Sequence, residues 1–290
     1  MTRPITSSRA LLGLFLAASV LHADTDPRDV IPAPAGTDAF IFYRKDITTD
    51  YTYSNGNKVK GFDLTANMNI LRPVLYADMG GHVYSLQMLI PYGSMSLTGS
   101  AVGNANFQTS GLGDTQFNFT YWFQNDTKQS RYAGAGVFLV TPTGAYDKSS
   151  PINLGDHRWS LRPQVLVGRG FGKAFYELGG EFSLYTDKQD EGAAQNQTSQ
   201  KAPLYNAFGH ATYNFTPALF TSASAFYTNG GETKLDGIKQ NDETKSLAAM
   251  LTFGFGLTAQ SQLLLQIRQD VAVQNGPAQN HVDARFAYFF

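Results

Sequence analysis

The sequence predicts an all-β chain closed into an antiparallel barrel of about twelve strands. Three observations carry that prediction: two-residue alternation in run after run, connections that switch between short and long, and a last strand that ends on an aromatic residue.

The clearest run is Phe62 to Ile70. Phe62, Leu64, Ala66, Met68 and Ile70 alternate with polar residues. An extended strand puts all five on one face, whereas a helix would scatter them around its circumference. The rhythm returns in Tyr84, Leu86, Met88, Ile90 and Tyr92, in Phe117, Phe119, Tyr121 and Phe123, and in Tyr176, Leu178, Phe182 and Leu184. It continues in Leu247, Ala249, Leu251, Phe253 and Phe255 and in Leu263, Leu265 and Ile267. Small residues blur the runs at 39–45, 132–140 and 205–215, which complete an even count. Short connections at 78–81, 171–173 and 259–261 alternate with long polar ones at 98–110, 142–159, 187–202 and 229–245. Outer-membrane barrels show that asymmetry, with turns in the periplasm and loops outside.

The first residues read as a cleavable export signal over 1–23: Arg3 and Arg9 precede an apolar stretch from Ala10 to Leu21 that is too short to span a bilayer. A periplasmic segment is expected at 24–36 and the transmembrane barrel at 37–290 of a bacterial outer-membrane protein. The chain has no cysteine, so the strand ladder must hold it without disulfides. No later stretch approaches the roughly 20 apolar residues of a membrane helix. The 28 glycines, 21 Phe and 15 Tyr beside only 16% charged residues suit a barrel with aromatic girdles. A formal charge of −1 excludes the basic excess that nucleic-acid binding needs.

At the C-terminus, Val282, Ala284, Phe286, Tyr288 and Phe290 share one face. This strand resembles the signal by which the barrel assembly machinery recognises outer-membrane barrels, with Phe286, Tyr288 and Phe290 as its assembly residues. Three further stretches, Pro32-Ala33-Pro34-Ala35-Gly36-Thr37, Gly111-Leu112-Gly113-Asp114, and Thr141-Pro142-Thr143-Gly144-Ala145-Tyr146 followed by Trp159, resemble the outer-membrane transporter family named for the meta-cleavage pathway of phenol degradation. Here Ala33 interrupts the usual double proline. The resemblance implies a barrel that passes small hydrophobic or aromatic molecules, and it fixes no substrate.

If the apolar positions of the Phe62 run face lipid, Asp63, Thr65, Asn67 and Asn69 line the lumen. The same rule places Gln116, Asn118, Arg162, Gln164, Glu177, Glu181, Arg268, Asp270, Asp283 and Arg285 there, with Arg162 opposite or diagonal to Glu181 and Asp270 near Arg285. A lumen with both signs selects weakly between anions and cations. No catalytic residue is assigned. Asp156-His157 beside Arg158 is the best acid-base candidate, and neighbours on an extended chain point apart. No metal or cofactor is expected, since zinc spacings are missing and the glycine clusters at 168–172 and 254–256 lack phosphate-loop spacing.

The expected function is therefore that of a porin-like channel for passive uptake, with Tyr92, Phe107, Tyr146, Trp159 and Tyr227 as a weak capture surface at the outer rim. The alternatives are a structural or loop-binding barrel and, less favoured, a lipid-acting hydrolase, whose sequence motif is missing. Blockage of the lumen by residues 24–37 would point to gating or a structural role. The expected partners are outer-membrane lipid and lipopolysaccharide, the barrel assembly machinery and a small solute, with no nucleic acid.

Overall fold

The alternating runs become strands whose ladder satisfies every neighbour, because a sheet closed on itself leaves no backbone edge for lipid to meet. The computed structural model describes residues 25–191 and 196–290, and the expected export signal lies outside them. The barrel strands are β1 (Asp38–Ser54), β2 (Asn57–Met79), β3 (His82–Thr98), β4 (Gln116–Asp126), β5 (Arg131–Val140) and β6 (Ser160–Phe171). They continue as β7 (Ala174–Tyr185), β8 (Leu204–Thr216), β9 (Leu219–Gly230), β10 (Thr244–Gly256), β11 (Ser261–Val273) and β12 (Asn280–Phe289). Each pairs antiparallel with its chain neighbours, and β1 pairs with both β2 and β12, closing twelve strands.

The wall is uneven. Strands β1 to β3 have 17, 23 and 17 residues, whereas β4 and β5 have 11 and 10. On the tall side the outward residues change character partway up. Phe40 and Phe42 give way to Arg44, Asp46 and Thr48 on β1, Leu75 and Leu71 to Asn69, Asn67, Thr65 and Asp63 on β2, and Ile90 and Tyr92 to Ser94 and Ser96 on β3. This outer part stands clear of the apolar band.

That change corrects the facing expected for the Phe62 run. Asp63, Thr65, Asn67 and Asn69 lie on the outer surface, where Asn67 accepts a hydrogen bond from Arg44. Phe62, Leu64, Ala66 and Met68 point inward and pack with Ile47, Met95, Leu97 and Val102 against Ile152 and Leu154 of the 141–159 loop. The strand is apolar on its inner face because a folded-in loop, rather than lipid, covers it. Burying Ile152 and Leu154 stabilises the closed loop by about 1.5 to 3 kcal/mol each. The outer end is further covered by a four-stranded sheet of loop segments, Ile238–Lys239, Thr233–Leu235, Gln197–Lys201 and Lys188–Glu191.

A second correction concerns residues 25–36. The segment expected in the periplasm runs up inside the barrel, where Asp26 and Val30 are 4% and 1% exposed. It leaves at the inner end, where Gly36 and Thr37 bond the backbone of Tyr76 just before β1.

Candidate functional site

The site is the lumen, and the tail fills part of it. Pro27 fixes its own φ and favours a turn, and the turn that forms closes through Asp29 N–H to the Asp26 carbonyl (3.1 Å) and Ile31 N–H to the Arg28 carbonyl (3.0 Å). Wall residues hold it. Both carboxylate oxygens of Glu177 accept the Arg28 backbone N–H, at 2.9 and 2.7 Å. Trp122 Nε1 donates to the Val30 carbonyl at 2.8 Å, and Gln266 and Gln164 donate to Asp26 and Thr25.

The tail's carboxylates meet wall guanidiniums. Asp29 lies 3.2 Å from both Arg72 and Arg285, and Asp26 lies 3.5 Å from Arg285. Arg72 is oriented by Tyr43 (2.6 Å) and Gln87 (2.8 Å). Buried ions of opposite sign offset each other's desolvation, so removing one partner leaves a costly uncompensated charge. The Val30 side chain packs over Gly168, where an added Cβ would lie 2.5 Å from Val30 Cγ1. Beside the tail remains a cavity of about 250 Å³, lined on its apolar side by Ile31, Ile41, Leu89, Trp122, Phe138 and Leu166.

Of the residues read from the sequence as lumen-lining, Gln116, Asn118, Arg162, Gln164, Glu177, Glu181, Arg268, Asp270, Asp283 and Arg285 sit on inward faces. Arg162 approaches Glu181 diagonally, Nε to Oε2 3.4 Å, and donates to Gln116. The expected Asp270–Arg285 neighbourhood does not form. Arg285 lies opposite Leu264, and Asp270 six residues further along β11 pairs with Arg268 and accepts the Gln279 N–H. Asp283 instead pairs with Lys45 at 3.0 Å. Sequence reasoning missed Arg72, Tyr43 and Lys45, and it expected the tail in the periplasm, with lumen blockage by residues 24–37 only as an alternative. The signal available was Arg72 itself, which shares the face of Phe62 to Ile70 and would otherwise have pointed into lipid.

The outer end is locked separately. Asp114 accepts the N–H groups of Gly144 (2.9 Å) and Asp156 (2.7 Å), so the two glycine-bearing motifs meet across the base of the 141–159 loop. Gly144 must be glycine: a Cβ there would lie 2.7 Å from Gly155 Cα and 2.8 Å from Asp114 N. Asp156 is caged by Arg158 (3.3 Å), Lys201 (3.5 Å) and Lys188 (3.6 Å). His157 diverges from it and stacks on Tyr146, ring centres 4.8 Å apart, so the two do not form an acid-base pair. Tyr146 donates to Glu191 within this lock, and Phe107 packs on the mouth cluster. Of the expected capture aromatics, Tyr92, Trp159 and Tyr227 are exposed. Among the described residues no cluster of His, Cys, Asp or Glu could hold a metal.

Burial alone would raise the Asp156 carboxyl; Lys201, Arg158 and Lys188 more than offset it and hold the group below the usual carboxylate range. A depressed carboxylate contributes stability above its unfolded pKa of about 3.9 and loses it as pH falls through the folded value. The loop should therefore stay protected from added protease from neutral pH down to about pH 4 and open only below that. Asp156→Asn, which breaks a buried ion cluster at a cost of about 3 to 5 kcal/mol, should expose it already at pH 7. Equal protection of both proteins at pH 7 would contradict the lock.

Comparison with known proteins follows the same lines. The family described as "MetA-pathway of phenol degradation" matches residues 48–286. Among solved structures, the chain is similar to an outer membrane channel from Pseudomonas putida F1, at 30% identity and TM-score 0.87, covering 92% of this chain and 100% of that one. It is also similar to the β domain of the Bordetella autotransporter Brka (13% identity, TM-score 0.54, 88% and 100% covered). The transport unit of the Escherichia coli autotransporter AIDA-I is a further likeness (10%, 0.52, 95% and 95%). At those identities the autotransporter likeness is one of fold. Comparison with curated proteins gives no match.

Proposed function

The chain belongs to the family described as the MetA-pathway of phenol degradation and is similar over most of its length to an outer membrane channel, and from that premise we propose that it is a passive channel for small, including aromatic or hydrophobic, molecules. The observation that carries this reading is the 250 Å³ lumen cavity, part of whose lining is the chain's own tail. Side chains of the wall fill a small eight-stranded barrel. Here the filling is a segment joined to the wall by side-chain contacts and by the strand it precedes, so it can leave without breaking the ladder. The cavity's mixed lining suits a solute with an apolar body and a polar group.

Two closures, the tail at the inner end and the 141–159 loop at the mouth, make the resting barrel a gated one. Movement needs no ATP, since flow follows the solute gradient. Reconstituted in liposomes, the protein should take up an aromatic acid and a phenol faster than a sugar of similar size, and all faster than an unrelated closed barrel does. Uptake at the control rate for all three would count against transport and favour the structural reading.

A further inference from the structure

We propose that the lumen cavity is a binding site for small one-ring carboxylates, and that the Asp29 carboxylate of the tail is a tethered stand-in for theirs. The inference rests on the channel reading and names its substrate class.

Arg72 and Arg285 belong to the wall, on β2 and β12, yet among the described residues their carboxylate partners, Asp29 and Asp26, both come from the tail. If the tail withdraws, two guanidiniums are left facing the cavity with Tyr43 and Gln87 as neutral neighbours, and Arg285 Nε already lacks a hydrogen-bond acceptor. Buried cations stripped of their counter-charge demand another anion. A carboxylate answers best, because its two oxygens match the planar donors of guanidinium groups, as Asp29 does by engaging one arginine with each oxygen.

The rest of the ligand follows from the cavity. With the tail in place the cavity already measures about 250 Å³, the equivalent of about eight waters, so a single ring has room beside the arginines before the tail leaves. Leu89, Phe138, Leu166 and Trp122 offer the ring apolar and aromatic contact. Because solute and Asp29 compete for the same guanidiniums, binding favours the state with the tail withdrawn, and the solute opens its own path. A neutral isostere leaves the arginines unpaired and gains nothing from the exchange.

Trp122 provides the readout, since its indole N–H bonds the tail at Val30. With Trp159→Phe, Trp122 is the sole tryptophan of the full-length protein. In detergent, benzoate should change its emission saturably, and benzamide should need at least ten times the concentration or fail. Asp29→Asn, in the tail and outside the ladder, should lower the half-saturating benzoate concentration severalfold. Arg72→Gln should abolish the response while the β-sheet circular dichroism is kept. An equal response to benzamide, or a half-saturation untouched by Asp29→Asn, overturns the proposal. The channel reading is scored apart from it: if an Asp156→Asn barrel, its mouth loop released, conducts ions once the tail is deleted while the protein with its tail gives no benzoate-specific response, the channel stands and the carboxylate site is lost. A barrel that responds to benzoate but never conducts keeps the site and loses the channel.

Discussion

Leu86→Arg is expected to cost on the order of 2 to 4 kcal/mol of insertion free energy, because a guanidinium near the bilayer midplane has neither water nor a counter-charge. Leu86 is half exposed on the outward face of β3 between Tyr84 and Met88, within the apolar band. Asn67→Arg, on the outward face of β2 where that band has ended beside Arg44, should cost almost nothing. The fraction of compact, heat-modifiable protein on mild-detergent gels measures both. The account predicts a large loss for Leu86→Arg and wild-type assembly for Asn67→Arg, and equal losses would refute the facing assigned to β2. Met68→Arg should behave differently from either, since Met68 is fully buried beneath the mouth loop: the barrel should assemble with the loop displaced.

The second large effect comes from crowding the tail out of the lumen. At Gly168 a side chain would strike Val30 at 2.5 Å and Phe175 at 2.9 Å. Gly168→Val should therefore expel the tail, forfeiting the burial of Val30, about 1.5 to 3 kcal/mol. That loss shifts the tail equilibrium by roughly ten- to a hundredfold. Val30→Asp reaches the same end from the tail side by placing a charge among Tyr132, Leu166, Phe175 and Phe208, without touching the wall. With the mouth loop released by Asp156→Asn, both variants should raise channel open probability together. If Val30→Asp assembles normally in that background and stays as closed as Asp156→Asn alone, the tail is not the closing element.

Much of the fold was legible because period-two alternation is a local property. Phe117 to Phe123 against Gln116 to Thr120 read directly as lipid and lumen faces, and the structure orients them that way. Alternation says which residues share a face and leaves open which side the face is on. That was enough where lipid is the only apolar neighbour and misleading on β2, where the 141–159 loop supplies a second one. Arg72 and Lys45 carried the missing information: each sits on the apolar face of its strand, and a charge there marks the inside. The Asp270–Arg285 expectation failed on register, which the 274–279 loop sets and no pattern within either strand reveals. The tail was illegible for another reason. Asp26-Pro27-Arg28-Asp29 is short, polar and proline-bearing, the composition of an exposed linker, and only the wall charges that face it in three dimensions give it a place.

The central claim is that the chain's own N-terminal segment closes the lumen at its inner end, and the most direct test is the ion conductance, recorded in planar bilayers, of an Asp156→Asn barrel, whose mouth loop is released, with residues 25–33 removed, beside the full-length Asp156→Asn protein. The account predicts rare, small openings for the full-length protein and a long-lived conductance for the deletion. Assembled, heat-modifiable deletion protein that conducts no better than the full-length barrel would contradict it.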